Sequence, residues 1–323
     1  MRRAPKNASS GELAEMLASE DEGLWLEIFA AAREVKAKCG KAETLVRGLV
    51  ETSNVCAKDC LYCGIRKGNE RVLRYRIPEE EVEKCIDEAR RRGYPAVAFQ
   101  AGEIESEANT AYYERILGKC RGLEVTLSLG EQTEEVYRRW KDAGAVRYLI
   151  RIETSNRELY AKIHPASCSF ERRLGCIRTL KKLGYVTGSG VMIGLPGQTV
   201  EDLARDIVFY GKEGLDMVGM GPYVPAPGTP MGNLDCNRQR STAVELGLKM
   251  IALTRLYLHG VNIVAATALE ALDPEGGRNR GIEAGANVVM PVLTPERYRK
   301  GYDLYPGKVT ALSSKLESTG GKK

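Results

Sequence analysis

Three cysteines in one short loop constrain this 323-residue chain more than any other feature. Cys56, Cys60 and Cys63 follow the spacing C-x3-C-x2-C. Thiolates this close together can each bind one iron of a cubane [4Fe–4S] cluster, whereas a cluster that only transfers electrons usually has four cysteine ligands. Three ligands leave one iron with an open coordination position, where a substrate or cosubstrate can bind. The loop therefore predicts a cluster that takes part in the chemistry.

A zinc site and buried structural thiols are the alternatives. Structural zinc needs four nitrogen or sulfur ligands, and the two histidines of the chain, His164 and His259, are far from the loop in sequence. An odd total of nine cysteines is typical of a reducing compartment rather than of a disulfide framework. We expect a structural role for the other six, which are Cys39, Cys85, Cys120, Cys168, Cys176 and Cys236.

Composition narrows the class of protein. The net charge of +5 is a small difference between 48 basic and 43 acidic residues. The basic residues lack the pattern of a nucleic-acid binder, and no apolar run approaches the roughly 18 residues that span a bilayer. The start of the chain has no signal-peptide pattern. We expect a soluble cytoplasmic protein with neither a nucleic-acid nor a membrane partner.

Strand-like and helix-like segments alternate eight times, which predicts a parallel (β/α)8 barrel. The predicted strands are Val46–Thr52, Ala96–Ala101, Glu124–Leu129, Arg147–Ile152, Val186–Ile193, Asp216–Gly221, Val261–Ala266 and Asn287–Met290. The predicted helices are Pro78–Arg92, Ala108–Cys120, Thr133–Ala143, Phe170–Leu183, Val200–Glu213, Arg240–His259, Leu269–Ala284 and Pro295–Asp303.

Such a barrel needs about 250 residues. We expect residues 1–43 to form a helical extension at the barrel bottom, 44–310 to form the barrel, and 311–323 to form a disordered polar tail. Functional residues of a barrel lie in the loops that follow the strands. The cysteine loop, which follows the first predicted strand, meets this expectation.

Two other strand ends carry candidate ligands. The second strand ends in Gln100-Ala101-Gly102-Glu103, where a glycine permits close approach and a carboxylate can accept a hydrogen bond from an amine. Arg151 and Glu153 alternate at the end of the fourth strand, so both should face the barrel interior. They either pair only with each other or bind a zwitterionic ligand.

The cysteine motif resembles that of the radical S-adenosylmethionine (SAM) superfamily. The resemblance implies that SAM binds the open iron and is split, after the cluster donates an electron, to a 5′-deoxyadenosyl radical. Tyr62 matches the aromatic residue that contacts the adenine. Residues 100–103 resemble the segment that binds the SAM amino group, and residues 189–199 resemble the glycine-rich segment that packs on the adenine. The implied cofactor-binding residues are Tyr62, Gln100, Ala101, Gly102, Glu103, Ser128, Glu153, Arg173, Met192, Ile193, Gly194 and Leu195.

Further segments between about residues 45 and 310 resemble the HydE-like branch of these enzymes, the maturases of [FeFe]-hydrogenase. They include Val125–Glu131, Phe170–Leu174, Gly194–Thr199, Asp216–Pro222 and Gly285–Pro291. The resemblance implies that Glu153 and Arg173 hold the methionine moiety of SAM. It also implies that Arg151 binds a substrate carboxylate. The implied substrate chamber is lined by Thr126, Arg151, Met217, Tyr302 and Tyr305.

The resemblance implies a role in building the diiron subcluster, with a small-molecule or organometallic iron substrate. Reduced ferredoxin or flavodoxin and other maturases are the implied partners. We expect a single cluster because no cysteine follows Cys236. At the end of the fourth predicted strand, Ile152 stands where some relatives have histidine. Three alternatives remain open: an enzyme like HmdB of [Fe]-hydrogenase cofactor assembly, a methylornithine synthase, and a carrier that binds an iron fragment without catalysis. Biotin synthase fits less well, because no cysteine falls inside a predicted strand.

Overall fold

The computed structural model describes residues 5–233 and 240–308, so Cys236 and the expected tail at 311–323 lie outside the described residues. The strands in these ranges, β1 to β10, are Leu45–Ser53, Ala96–Ala101, Glu124–Ser128, Ala145–Leu149, Val186–Ser189, Met192–Ile193, Met217–Val218, Gly221–Pro222, Asn262–Ile263 and Val288–Val289.

The helices in the same ranges follow a short 3-10 helix at Pro5–Asn7. Numbered α1 to α12, they are Ser10–Ala18, Glu22–Lys38, Glu79–Arg91, Glu107–Lys119, Glu134–Asp142, Arg157–Ile163, Phe170–Lys182, Val200–Lys212, Arg240–Leu258, Thr267–Leu272, Gly277–Ala284 and Glu296–Arg299. Several begin at the polar caps that helix starts favour; Ser106, Thr133 and Ser169, for example, each accept a hydrogen bond from a backbone N–H of the first turn.

Eight parallel strands form the predicted barrel. Their order is β10, β1, β2, β3, β4, β5, β7, β9. A parallel bridge between Val264 and Val288 joins the two ends of this sheet and closes the barrel. β6 and β8 form a short parallel pair beyond β5 and β7. The carboxyl ends of the strands therefore meet at one mouth, where the site is expected.

Two predicted strands are interrupted and one is too long. The predicted strand Val186–Ile193 breaks at Gly190, whose backbone approaches that of Gly219 so closely that a Cβ there would lie 1.9 Å from the Gly219 oxygen. The predicted strand Asp216–Gly221 breaks on the other side of this contact. The fourth strand ends at Leu149, so Arg151 and Glu153 lie in the loop and not at alternate strand positions.

The helix predictions differ from the structure in three places, the first of which is the last predicted helix, Pro295–Asp303: it is helical only at Glu296–Arg299. The predicted helix Leu269–Ala284 is two helices, α10 and α11, because Pro274 cannot continue a helix and the chain turns between Asp273 and Gly276. The short helix α6 was not predicted. Asn156 caps α6 by accepting hydrogen bonds from the backbone N–H groups of Glu158 and Leu159.

The main hydrophobic core lies between the sheet and the surrounding helices. An aromatic group inside it packs edge to face around Tyr148, which contacts Tyr137 and Tyr185. In the amino-terminal region, α1 packs on α8 and α9, and α2 packs on α9 and α11. No helix in the described part of the chain is both long and apolar enough to span a membrane.

Candidate active site

A cavity of about 340 Å³ occupies the barrel from its mouth inward. Residues 301–308, which we call the C-terminal strap, cross this mouth. Asn54 Nδ2 donates to the Gly301 oxygen at 2.7 Å, and the Gly64 N–H donates to the Leu304 oxygen at 3.1 Å. Lys308 of the strap pairs with the buried Glu51 of β1. The strap therefore covers part of the mouth of the chamber.

Cys56, Cys60 and Cys63 all line this cavity and are half-buried. Burial raises the pKa of the Cys63 thiol to about 12 and also raises that of Cys56. Contact with the thiol of Cys168 raises the pKa of Cys60. Among the described residues, no three Cys, His, Asp or Glu side chains are placed to hold one metal ion. Three thiols in one loop match what a cluster needs, because each thiolate binds a different iron.

Gly102 allows strand β2 to approach the cysteine loop. A Cβ at Gly102 would lie 2.3 Å from the Val55 oxygen and 2.8 Å from the Cys56 Cβ. The two segments are joined by hydrogen bonds, from the Ala57 N–H to the Glu103 oxygen at 2.8 Å and from the Glu103 N–H to Cys56 Sγ at 3.3 Å. The sequence predicts that Gly102 lets a ligand approach the backbone; in the structure the segment that approaches Gly102 is the cysteine loop.

Glu103 lies in a buried charge network with the cysteine loop. Lys58 Nζ is 3.0 Å from Glu103 Oε1 and 3.1 Å from Glu131 Oε2, while Arg173 Nε donates to Glu131 Oε1 at 2.7 Å. Burial raises the pKa of Glu103 despite the nearby cations. Burial acts in the same direction on Glu131, but Arg173 and Lys58 hold the pKa of that carboxyl below its usual range.

Arg151 and Glu153 both reach the cavity from the loop after β4. Arg151 Nη2 lies 3.0 Å from Glu153 Oε2 and donates to the Val191 oxygen at 2.7 Å. Glu153 adopts the left-handed φ of 68°, which is unusual for a residue other than glycine. Its backbone is fixed there by hydrogen bonds to Gly190 and Met192. Burial raises the pKa of Glu153, against the effect of Arg151 and Arg173.

Tyr62 lines the cavity beside the third cysteine. Its hydroxyl lies 3.2 Å from His164 Nε2, and His164 Nδ1 lies 2.9 Å from the Tyr160 oxygen. Burial lowers the pKa of His164 to about 4, so its ring is neutral at physiological pH. The histidine thus orients the tyrosine ring and adds no charge to the chamber.

Most of the other predicted site residues also line the cavity. Those are Gln100, Ala101, Thr126, Ser128, Met192, Met217, Tyr302 and Tyr305. Ile193, Gly194 and Leu195 do not belong to the lining, because the chain turns away after Met192. The N–H groups of Gly194 and Leu195 donate to Gln198 Oε1 instead.

Sequence reasoning missed Lys58, Glu131, Arg47 and Lys308. Three of them had a signal: Lys58 lies inside the cysteine motif, and Glu131 follows the third strand as Glu103 follows the second. Arg47 is a charged residue within an apolar strand; it lines the cavity, and its Nη1 lies 3.2 Å from Met217 Sδ. Burial lowers the pKa of Arg47 to about 10.

Four buried polar atoms on the cavity walls have no hydrogen-bond partner within the described chain: Glu103 Oε1, Thr126 Oγ1, Arg151 Nε and Glu153 Oε2. The two carboxylate oxygens have cations 3.0 Å away, but not in hydrogen-bonding geometry. Buried polar groups are normally satisfied. These atoms belong to residues that line one chamber, and two acceptors, a donor and a hydroxyl there fit a ligand with both an amine and a carboxylate.

Comparison with known proteins identifies the family. The model of the radical SAM superfamily matches residues 50–209. The [FeFe] hydrogenase maturase subunit HydE of Thermotoga maritima is 44% identical over 303 residues, which cover 92% of this chain and 84% of that protein. The chain belongs to the HydE family of radical SAM enzymes.

More distant relatives share the architecture. The 3-methylornithine synthase of Methanosarcina acetivorans is 25% identical over 92% of this chain and 83% of its own length. The crystal structure of HydG, a maturase of the [FeFe]-hydrogenase, superposes with a TM-score of 0.79 at 20% identity, covering 95% of this chain and 70% of that one. At this identity the superposition shows the fold alone. HydE-family membership implies a [4Fe–4S] cluster and SAM, and the three thiols and the unsatisfied polar atoms fit both.

Proposed function

We propose that this chain reductively cleaves SAM at a single [4Fe–4S] cluster and acts in building the diiron subcluster of [FeFe]-hydrogenase. The observation that carries the proposal is the convergence of the cysteine loop with Glu103, Glu153 and Arg173 on one chamber. When bound, the cluster supplies the low-potential electron that splits the sulfonium of SAM. The 44% identity to HydE favours this pathway over methylornithine synthesis, where the identity is 25%.

The protein's side chains hold and orient the ligands. Cys56, Cys60 and Cys63 would each bind one iron. Glu103 Oε1 would accept hydrogen bonds from the SAM amino group, because a buried carboxylate gains a charge-assisted bond there. Arg173, whose Nε donates to Glu131, would bind the carboxylate of the SAM methionine moiety. Glu153 would hold the same moiety from its own side of the chamber.

The substrate would bind in the same cavity, beside the SAM site. Arg151, whose Nε lacks a hydrogen-bond partner, would bind a carboxylate of the substrate as a planar guanidinium fork. Thr126 and Met217 would line the chamber beside it, and Tyr302 and Tyr305 would close it from the strap. This arrangement suits a small organometallic iron substrate with an amino-acid ligand. Reduced ferredoxin or flavodoxin and the other maturases would be the partners.

Measuring 5′-deoxyadenosine formed from SAM by the reconstituted protein tests the reaction. We expect stoichiometric product with a reduced cluster and none from Cys60→Ala. A reduced cluster that fails to cleave SAM would instead support the iron-fragment carrier. Adding the protein to the other maturases and an inactive hydrogenase tests the pathway, and we expect hydrogenase activity to appear. Formation of 3-methylornithine would favour the synthase alternative.

A further inference from the structure

One concentration of positive charge in this protein lies around the cysteine loop. Residues 57–76 contain six basic and two acidic residues, a net +4 of the +5 carried by the whole chain. The longest uninterrupted basic run, Arg90 to Arg92, is by contrast neutralised, because each arginine pairs with Asp87 or Glu88 of α3. The loop segment therefore contributes positive charge near the site.

Most of the basic side chains in this segment are not neutralised by carboxylates. Lys58 pairs with Glu103 and Glu131, and Arg66 pairs with Asp59 at 2.6 Å. The other four have no carboxylate within ion-pair distance in the described part of the chain: Lys67, Arg71, Arg74 and Arg76. Lys67, Arg71 and Arg76 are exposed to solvent. A positive surface of this kind attracts acidic partners and increases their association rate.

Arg74 makes the segment a rigid surface. Its Nη1 donates to the oxygens of Asn54 at 2.7 Å and Ile65 at 2.8 Å, and its Nη2 donates to those of Arg66 at 2.6 Å and Asn69 at 3.2 Å. All four partners are backbone carbonyls, so the guanidinium keeps its net charge while it ties the turn at 65–69 to the end of β1. Rigid surfaces lose less entropy on binding.

The surface lies directly over the cysteine loop. The Arg66 N–H donates to the Cys63 oxygen at 3.1 Å, and the Lys67 N–H donates to the Lys58 oxygen at 2.8 Å. Leu73, 85% exposed, projects from the same segment. An exposed apolar side chain surrounded by charged residues is typical of the centre and rim of a protein interface.

We propose that residues 66–76, the basic face, dock an acidic one-electron carrier protein. This inference rests on the proposed function, because SAM cleavage requires one electron per turnover. The carrier loses one electron, the cluster gains it, and no proton or group is transferred between the two proteins. Docking on the basic face places the carrier beside the backbone of the cysteine loop.

The binding test uses a reduced ferredoxin of acidic isoelectric point as the probe and the reconstituted protein. The double substitution Lys67→Glu with Arg71→Glu should raise the dissociation constant for ferredoxin at low ionic strength by about tenfold or more. It should also reduce the dependence of that constant on salt concentration. Leu73→Ser should weaken binding with the salt dependence retained. The matched control, Lys38→Glu with Lys182→Glu, makes the same change in net charge at side chains that are 74% and 73% exposed on α2 and α7, and should bind as the wild type does.

A second measurement separates this inference from the proposed function. The double variant at Lys67 and Arg71 should have a raised KM for ferredoxin in 5′-deoxyadenosine formation but an unchanged rate with dithionite, which needs no docking surface. If the wild type fails to cleave SAM even with dithionite, the proposed function is wrong. If it cleaves SAM but the charge reversals leave ferredoxin binding unchanged, or the control weakens it equally, the basic face is not the docking site.

Discussion

Lys58 and Glu131 connect the cysteine loop to the end of β3, with 3.1 Å between Nζ and Oε2. The two residues are 73 positions apart, and the Glu131 side chain is fully buried. Because Glu131 also accepts from Arg173, one carboxylate fixes both the loop that would hold the cluster and the arginine that would hold SAM. Glu131→Gln should therefore lower the free energy of unfolding by about 3 kcal/mol, the usual order for breaking a buried ion pair. It should also weaken SAM binding.

Urea unfolding of the cluster-free protein and SAM titration of the reconstituted protein measure these two effects. Glu134→Gln is the matched control, since Glu134 pairs with Arg138 on an exposed helix surface and should contribute no more than about 0.5 kcal/mol. Equal effects of the two substitutions would show that the buried Lys58–Glu131 contact contributes no more to stability or SAM binding than an exposed ion pair does.

Gly102→Ala should disrupt the cysteine loop. The new Cβ would lie 2.3 Å from the Val55 oxygen, a backbone atom that cannot move without displacing Cys56. We expect reduced iron retention after reconstitution and a lower thermal midpoint. Gly118→Ala on α4, where nothing lies within 4 Å of the new atom, should instead stabilise the protein by about 0.5 kcal/mol. Full iron retention in Gly102→Ala would contradict the assigned close approach.

Asp206 should make stability depend on pH. Burial raises the pKa of its carboxyl from the ordinary 3.8 to about 7, although Oδ1 accepts a hydrogen bond from the Ser155 N–H at 2.6 Å. The folded protein thus holds a proton that the unfolded chain releases, so the free energy of unfolding should fall by a few kcal/mol as pH rises from about 4 to about 7, and then level off. Asp206→Asn should remove this slope and be the more stable protein at pH 8. Unfolding curves of the wild type and of Asp206→Asn, collected between pH 5 and pH 8.5, will test this. If the free energies of unfolding of the two proteins change with pH in parallel, the prediction is wrong.

Arg151 and Glu153 should have separable roles although they are 3.0 Å apart. Glu153→Gln should weaken SAM binding and cleavage even without substrate, whereas Arg151→Ala should leave SAM binding near normal and abolish productive turnover. Loss of a charge-assisted hydrogen bond costs about 1.5–3 kcal/mol, roughly ten- to over a hundredfold in affinity. A double-mutant cycle on SAM affinity decides the matter. Equal losses with strong coupling would indicate a structural ion pair alone.

Iron analysis tests the single-cluster prediction. The reconstituted protein should contain about four irons per chain, and Cys56→Ala, Cys60→Ala and Cys63→Ala should each lose the cluster. About eight irons in two spectroscopically distinct clusters would contradict the prediction.

The barrel could be predicted because eight apolar segments and eight amphipathic segments alternate at short intervals. The end of the fourth strand could not. Ile150 and Ile152 are 3% and 0% exposed, so they have the apolar character of a strand; the Ile150 N–H still donates to the Gly188 oxygen of β5, but the Ile152 N–H donates to the Ser189 side chain instead of a strand carbonyl. Apolar character reports burial, and burial alone does not distinguish a strand from a covered loop.

The candidate site divides in the same way. The cysteines, Gly102 and Glu103 follow strands and have chemistry that is evident from residue type and spacing. The partnership of Lys58 with Glu131 depends on two loops that meet only in the folded barrel, and no local pattern encodes it. The resemblance places Gly194 and Leu195 in the site; in the structure they lie outside the cavity lining, and their N–H groups donate to Gln198 Oε1.

The C-terminal strap and the pairing of β1 with β10 set an order on assembly in the cell. A ribosome makes the cysteine loop within the first quarter of the chain, yet the last neighbour of β1 comes from residues 288–289 and the contacts of Asn54 and Gly64 come from residues 301–304. Domains fold as units during synthesis. The cysteine loop therefore gains its contacts with the C-terminal strap only after the last barrel strand has been made.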